Sequence, residues 1–289
     1  MRRPFRQVDV FSPEPLAGNP VAVVHDAEGL SAEEMQRFAR WTNLSETTFV
    51  LPPSDPAADY RVRIFTLARE LPFAGHPTLG TCHAWLEAGG APRREGVVVQ
   101  ECAAGLVQVR RRDPADFHRG LLAFAAPPRV RTEPVDVSYL GQVAAVLGIG
   151  RGEVVDAQWV DNGPGWMAVL LADAEAVLAV EPDFGRYAGE GTLEIGMVGF
   201  YPDGSECACE VRAVLSDERG GMIEDPVTGS LNASLAQWLL ETGRAEAPYV
   251  ASQGTRVGRA GRVRIDRDPD GAVWVGGATR TWVTGEVDL

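Results

Sequence analysis

Five side chains in this sequence are candidates for moving a proton. A proton transfer needs a base and an acid, and carboxylates and imidazoles are the groups used most often. Glu46 is a single charge between Ser45 and Thr47, directly before an apolar segment. Two interpretations of Glu46 are open: a carboxylate at the solvent rim, or a partly buried general base. The other four candidates are Glu70, His76, Glu224 and Asp225.

These four candidates also have a structural interpretation. His76 falls in the first turn of a predicted helix, where the helix N-terminus suits an imidazole to relay a proton; the alternative is a hydrogen bond to a carbonyl. Asp225 precedes Pro226 and is either a site residue or a turn former. Glu70 and Glu224 occupy matching positions of a repeat, which favours a structural role.

The repeat relates segments 70–89 and 224–243 by a constant offset of 154 positions. Glu, Pro, Gly, Leu, Glu and Gly coincide, whereas ordinary composition gives about one or two matches in twenty positions. Six coincidences favour an internal duplication. The coinciding positions are 70/224, 72/226, 75/229, 86/240, 87/241 and 89/243.

Each copy predicts a tight turn followed by a long helix and a stop. Gly75 and Gly229 allow the turn and the close approach of a ligand. Thr78 and Ser230 are expected to cap the first-turn amides. Apolar residues on nearly all sides predict buried helices, and a buried helix that opens at a glycine turn is a ready anion site. The alternative is two well-capped core helices, but two copies favour a site.

Composition and charge narrow the class of protein. The chain has 289 residues, 45% hydrophobic and 23% charged, which is typical of a globular protein long enough for two domains. A net charge of −13 disfavours nucleic acid and anionic membranes as partners. No run is apolar enough to span a bilayer, and the start lacks the apolar core of a secretory signal. We therefore expect a soluble, cytoplasmic protein.

All 27 basic residues are arginines, so the chain contains no lysine. Schiff-base enzymes, pyridoxal-phosphate enzymes and Walker-type phosphate loops need a lysine amine and are excluded. Segment 148–153 resembles a dinucleotide fingerprint but has Glu where the third Gly is required. The cysteines and histidines lack metal-ligand spacing. The sequence therefore predicts neither a metal nor an organic cofactor.

The two halves show the same plan. Each is rich in strands and has one long apolar helix, which predicts an α+β fold with a curved sheet or barrel around a central helix. The charged, Pro-rich segment near 112–128 is the best boundary, which gives domains 1–118 and 119–279. Segments 272–276 and 280–287 are predicted as separate strands. A pseudo-twofold relation would make the two helix N-termini face each other across the domain interface.

Several motifs resemble the PhzF-like phenazine-biosynthesis family, in that family's order and over nearly the whole chain. The family is similar in fold to diaminopimelate epimerase, with two pseudo-symmetric domains. The resemblance implies that a C-terminal strand, 280–288, completes the first domain; we also expect a homodimer. The motifs are Asp9-Val10-Phe11, Gly18-Asn19-Pro20, Ser45-Glu46-Thr47-Thr48-Phe49, segments 70–78 and 224–230, Gln253-Gly254 and Gly258-Arg259.

The resemblance implies a cofactor-independent isomerase that moves a proton on a small carboxylate substrate. The reaction would be related to the isomerisation of trans-2,3-dihydro-3-hydroxyanthranilate. Two alternatives are an amino-acid racemase or epimerase and a non-catalytic small-acid binding protein. The epimerase relatives use two thiols, and neither turn of this chain has a cysteine, which disfavours a two-thiol racemase. The implied residues in an interdomain cleft are the acid/base Glu46, its catalytic partners His76 and Asp225, and substrate-binding Gly75, Gly229 and Ser230.

Overall fold

The computed structural model describes residues 1–111, 121–186, 192–216 and 221–289, and the predicted boundary between residues 118 and 119 lies outside them. Within the described residues no helix has both the length and the apolar character needed to cross a membrane.

The helices are α1 (Ala32–Thr42), α2 (Gly75–Glu87), α3 (Val137–Leu147), α4 (Ala174–Ala179) and α5 (Gly229–Glu241). The strands are β1 (Arg2–Val10), β2 (Asn19–Val24), β3 (Glu46–Leu51), β4 (Tyr60–Phe65), β5 (Glu70–Leu71), β6 (Val97–Cys102), β7 (Gly105–Arg111), β8 (Leu121–Ala125), β9 (Asp156–Trp159), β10 (Met167–Leu170), β11 (Glu194–Phe200), β12 (Cys209–Ser216), β13 (Met222–Asp225), β14 (Tyr249–Gln253), β15 (Gly261–Arg267) and β16 (Val273–Asp288).

The first compact unit consists of Met1–Ala125 and Trp274–Leu289. Eight of its strands form a closed ring in the order β1-β2-β3-β4-β6-β7-β8-β16, because β16 pairs with both β8 and β1. Closure leaves this ring without an edge strand. β16 is one continuous strand, so the predicted separation of 272–276 from 280–287 is wrong.

Helix α2 contacts β1, β2, β3, β6, β7 and β8 of this ring. Every residue from Gly75 to Cys82 is buried, which confirms the prediction of a buried helix. The helix approaches the ring closely at Gly80, where an added Cβ would lie 2.3 Å from Cγ1 of Val21 in β2. The helix is followed by Gly89 at φ 92°, the left-handed stop that the sequence predicts.

The second compact unit, Ala126–Val273, repeats the part of this topology that runs from β1 to β7. Its strand order is β9-β10-β11-β12-β14-β15, and β13 pairs with β12 as β5 pairs with β4. The parallel pairs β2 with β3 and β4 with β6 have parallel counterparts in β10 with β11 and β12 with β14. The bounds of α2 and α5 differ by the offset of 154 found in the sequence. The predicted duplication therefore extends to the architecture.

An apolar cluster supports the sheet of the second unit. α3 and α4 pack against β10, β11 and β12 through side chains that are almost completely buried. The cluster gives the second unit an apolar core of its own. Its members include Leu140, Val143, Val146, Met167, Val177, Ile195, Met197 and Val214.

The same substitution in two helices should have opposite effects on stability. Gly80→Ala brings a methyl group against the stiff, buried Val21, and overpacking of this kind costs about 1–3 kcal/mol. Gly141 of α3 is exposed, and an added Cβ there meets nothing within 4 Å. Gly141→Ala should therefore stabilise the protein by about 0.5–1 kcal/mol through helix propensity. Urea unfolding measures the change in the free energy of unfolding for both variants. A stabilised Gly80→Ala protein would contradict close packing of α2 on β2.

Candidate active site

Glu46 and His76 lie side by side at the start of two elements. Glu46 is the first residue of β3, and His76 is the second residue of α2. Oε2 of Glu46 is 3.3 Å from Nε2 of His76, and the two side chains are only 15% and 5% exposed. Glu46 is therefore partly buried, and its role as a general base stays a prediction. A carboxyl group and an imidazole at this distance can exchange a proton.

The backbone of Pro20 fixes the state of the imidazole. Burial lowers the pKa of His76 to about 3, and a hydrogen bond with the Pro20 backbone opposes part of this effect. Proline has no N–H, so its carbonyl accepts and the ring donates. Because Nε2 faces Glu46, the donating atom is Nδ1, and Nε2 presents a lone pair to the carboxyl group. A proton placed between Nε2 and Oε2 would satisfy both atoms.

The turn that leads into β2, which carries Pro20, is held by a buried carboxylate. Oδ2 of Asp9 accepts a hydrogen bond of 2.9 Å from the Gly18 amide, and Asp9 is only 3% exposed. A Cβ at Gly18 would lie 2.2 Å from the carbonyl oxygen of Val10, so only glycine fits this turn. Asp9 and Gly18 thus place the Pro20 carbonyl that orients His76.

The predicted capping of the two central helices is wrong. α2 and α5 begin after Ala74 and Thr228, and neither N-terminus has a side-chain cap within the described residues. The hydroxyl of Thr78 accepts instead from Nε2 of Gln100 at 2.9 Å. The hydroxyl of Ser230 accepts from Nε1 of Trp166 at 3.0 Å. The first-turn amides at Gly75 and Gly229 are thereby left for an anion or an acceptor oxygen.

A fully buried glutamine organises the turn before α5. Oε1 of Gln253 accepts from the Thr228 amide at 3.0 Å and from Nδ2 of Asn232 at 2.7 Å. Nε2 of Gln253 donates to Oγ1 of Thr228 at 2.9 Å and to the Asp225 carbonyl at 3.2 Å. Thr228 then donates through Oγ1 to Oδ2 of Asp225 at 2.6 Å. The Asp225 carboxylate is therefore placed at the entry to α5 by Thr228 and Gln253.

The loop between β9 and β10 holds Ser230 from its other side. Nδ2 of Asn162 donates to the Ser230 carbonyl at 2.9 Å, and Nε1 of Trp166 donates to its hydroxyl. Trp166 is only 3% exposed. Both contacts anchor the first turn of α5.

Glu70 and Glu224 form matching ion pairs rather than site contacts. The carboxylate of Glu70 accepts two hydrogen bonds from Arg63, at 2.7 and 2.6 Å. That of Glu224 accepts two from Arg212, at 3.0 and 2.8 Å. Bidentate pairs of this kind fix orientation, which supports the structural role predicted for both residues.

The cysteines are poor candidates for thiolate chemistry. Burial raises the pKa of Cys82 and of Cys209 to about 12. The nucleophile and base of a thiol enzyme is the thiolate, which needs a lowered pKa. In the part of the chain that the structure describes, no group of three or more His, Cys, Asp or Glu side chains is placed to hold a metal ion.

Sequence reasoning missed three residues that organise the site. Pro20 and Gln253 lie in motifs that carry the family resemblance. Their presence in those motifs marked them as candidates, but the resemblance assigned no role to either residue. Trp166 follows Gly163-Pro164-Gly165, a turn sequence that gives no hint of a contact with Ser230. The predicted sharing of one cleft by the Gly75 and Gly229 turns stays a prediction.

The chain matches known proteins along nearly its whole length. Residues 8–286 match the family model described as phenazine biosynthesis-like protein. Antisense-enhancing sequence 1 of Schizosaccharomyces pombe is 34% identical over 98% of this chain and 97% of its own length. Trans-2,3-dihydro-3-hydroxyanthranilate isomerase of Pseudomonas aeruginosa is 34% identical over 89% of this chain and 87% of its own.

Solved structures agree with the α+β, diaminopimelate epimerase-like fold. A predicted epimerase from Pseudomonas aeruginosa has a TM-score of 0.80 and 28% identity, covering 99% of both chains. A probable proline racemase from Agrobacterium radiobacter has a TM-score of 0.61 and 13% identity, covering 99% of this chain and 93% of its own. The second likeness concerns the fold alone.

Replacing Gln253 should loosen the turn that carries Asp225. Gln253→Met keeps the volume but leaves buried donors of Thr228 and Asn232 unpaired, which costs about 2–6 kcal/mol at roughly 1–3 kcal/mol per group. Gln100→Met is the matched control, because Gln100 is equally buried but bonds the side chains of Tyr60 and Thr78. Both variants should lose stability in urea. Only Gln253→Met should speed amide hydrogen exchange at residues 228–232, and equal exchange in both would contradict this assignment.

The buried, neutral His76 should make the protein sensitive to acid. Its folded-state pKa lies below 6.5, so the unfolded chain binds more protons, and stability is lost as the pH falls from about 6.5 towards 3. Between pH 7 and 5 the loss from this residue should be about 2 kcal/mol. In His76→Gln this loss should be absent. Urea unfolding at both pH values measures it, and equal losses in wild type and variant would contradict a neutral His76.

Proposed function

Because the chain belongs to the family of phenazine biosynthesis-like proteins and is an isomerase, we propose that it shifts a proton on a small carboxylate substrate with Glu46 as acid and base. The contact of 3.3 Å between Glu46 and His76 carries this proposal. The substrate would resemble trans-2,3-dihydro-3-hydroxyanthranilate, on which the Pseudomonas aeruginosa relative acts by its name.

The pair holds one proton in two alternative positions. With His76 neutral, the proton lies on Glu46 and the pair is at rest. When it moves to Nε2, Glu46 becomes a carboxylate that can accept a hydrogen from carbon. Burial disfavours the resulting imidazolium, and the charge of a bound carboxylate would offset that cost. Substrate binding would therefore prepare the base.

In the proton shift itself, Glu46 is the group that takes and returns the hydrogen. Glu46 takes a hydrogen from carbon as a proton, and the electron pair of the broken C–H bond moves into the neighbouring unsaturated system. Glu46 next returns the proton to another carbon, which restores the carboxylate. No oxidant, reductant or added atom enters this balance. We propose that the reaction needs no metal or organic cofactor.

The helix N-termini would stabilise the negative charge. The first-turn amides at Gly75 and Gly229 are left without a side-chain cap among the described residues, and a helix start favours anions through its amides and its dipole. We assign Gly75, Gly229 and Ser230 to substrate binding, and we assign a catalytic role to Asp225 as well as to Glu46 and His76. The homodimer and the cytoplasmic location stay predictions.

Two alternative functions give different experimental results. An epimerase would deliver a proton to the opposite face of the carbon that lost one, so that the substrate exchanges hydrogen with solvent and inverts without a shifted double bond. A small-acid binding protein would bind without any exchange. The raised pKa values of Cys82 and Cys209 speak against a two-thiol mechanism.

Glu46→Gln should abolish proton transfer while leaving fold and binding intact, because glutamine keeps the shape and hydrogen bonds but cannot accept the proton. Removing a general base costs roughly a hundred- to ten-thousand-fold in rate. Nuclear magnetic resonance in deuterated water measures both product formation and hydrogen exchange, with trans-2,3-dihydro-3-hydroxyanthranilate and a panel of other small unsaturated carboxylates.

Glu33→Gln provides the control, because it removes the same charge from the exposed first turn of α1 and should keep wild-type rates. Added chelator should leave those rates unchanged. Wild-type rates in Glu46→Gln would refute the mechanism, and binding without exchange across the panel would favour the binding protein.

A further inference from the structure

The indole of Trp166 determines which hydrogen-bonding role the Ser230 hydroxyl can play. Its Nε1 lies 3.0 Å from Oγ of Ser230, and an indole N–H can only donate. Oγ therefore accepts from Trp166. A hydroxyl has one proton and two lone pairs, so this contact occupies a lone pair and turns the Ser230 proton away from the indole.

The Ser230 proton has no acceptor among the residues that the structure describes. The remaining side-chain contacts of Ser230 use its backbone carbonyl, which accepts from Nδ2 of Asn162 at 2.9 Å and from Oγ of Ser234 at 3.2 Å. Serines within helices often donate to the carbonyl four residues earlier, but Ser230 makes no such bond in this part of the chain. Ser230 is partly exposed, so its proton is available to a ligand.

The loop that carries Trp166 is built to hold this geometry. Oδ1 of Asp161 accepts from the amides of Gly163 and Gly165, each at 2.7 Å. Both glycines have positive φ, 131° and 105°, a region that other residues rarely adopt. Trp166 itself is almost completely buried. The indole can therefore not turn to follow Ser230 in another orientation.

We propose that Trp166 is a positioning residue that makes Ser230 a hydrogen-bond donor, so that this end of the site selects an oxygen bearing only lone pairs. Such an oxygen belongs to a carboxylate or to the enolate-like oxygen that forms as a proton leaves. The inference rests on the proposed function, because it takes Ser230 as a substrate contact. It adds the reason why a carboxylate binds more tightly here than the corresponding amide, because a hydrogen bond from Ser230 to a charged oxygen is stronger than one to a neutral carbonyl.

A double-mutant cycle tests the assignment. Wild type, Trp166→Phe, Ser230→Ala and the double variant are titrated by calorimetry with the carboxylate that wild type binds most tightly from the panel, and with its primary amide. Trp166→Phe should weaken carboxylate binding roughly three- to tenfold, the value of one hydrogen bond, and should narrow the preference over the amide. In the Ser230→Ala background it should have no further effect, because the hydroxyl that it orients is gone.

Trp238→Phe is the matched control, because this tryptophan of α5 is 2% exposed and stacks near Arg244 instead of meeting Ser230. It should change neither the affinity nor the preference. If Trp166→Phe does not fold, replacement of Trp166 by 3-benzothienylalanine keeps the ring shape and removes only the N–H. Equal losses with and without the Ser230→Ala substitution would show a purely structural Trp166 and overturn the proposal.

Binding measurements separate this inference from the proposed function. A coupling between Trp166 and Ser230 together with full turnover in Glu46→Gln would preserve the inference and refute the mechanism. Loss of turnover in Glu46→Gln, with no coupling between Trp166 and Ser230, would support the mechanism and refute the inference. A wild-type protein that binds none of the panel carboxylates would overturn the inference.

Discussion

Burying one helix inside a sheet is the constraint on which each unit depends. A helix surrounded by strands must find a partner for every polar side chain, because an unpaired buried polar group costs roughly 1–3 kcal/mol. Gln100 of β6 hydrogen-bonds Thr78 of α2, and Gln253 of β14 hydrogen-bonds Asn232 of α5. β6 and β14 occupy the same place in the repeated topology. The two glutamines therefore play the same role in the two units, each pairing a buried polar side chain of the central helix.

This constraint also explains what sequence could and could not reveal. The repeat gave the bounds of α2 and α5 and the structural role of Glu70 and Glu224, since glycine turns and repeated charges leave a pattern along the chain. The caps were predicted wrongly because a hydroxyl near a helix start was already bonded to a distant residue.

Contacts across the fold leave no such pattern. The carbonyl that orients His76 comes from Pro20, and a backbone carbonyl has no residue type to recognise it by. Trp166 reaches Ser230 across 64 positions of sequence, so no local pattern links the two. Residue types and spacing thus indicated the reacting groups, while their orientation depends on tertiary contacts that only the structure supplies.

The duplicated frame supports two different chemistries. His76 and Ser230 are each the second residue of their central helix, at the same offset as the rest of the repeat. Pro20 offers His76 an acceptor, whereas Trp166 offers Ser230 a donor. One half therefore holds a lone pair towards a carboxyl group, and the other holds a proton available to a ligand. The two helix starts therefore share their place in the repeat but make hydrogen bonds of opposite direction at their second residue.

The position of β16 at the end of the chain has a consequence for folding during synthesis on the ribosome. β16 pairs with β1, yet the whole of Ala126–Val273 is synthesised between the first unit and most of β16. At about 5–20 residues per second this delay lasts roughly 7–30 s. During that time β1 and β8 are open edges, which invite pairing with other chains. β1 carries Arg3, Pro4 and Arg6, charged and proline residues of the kind that keep a nascent edge from pairing before its partner is made.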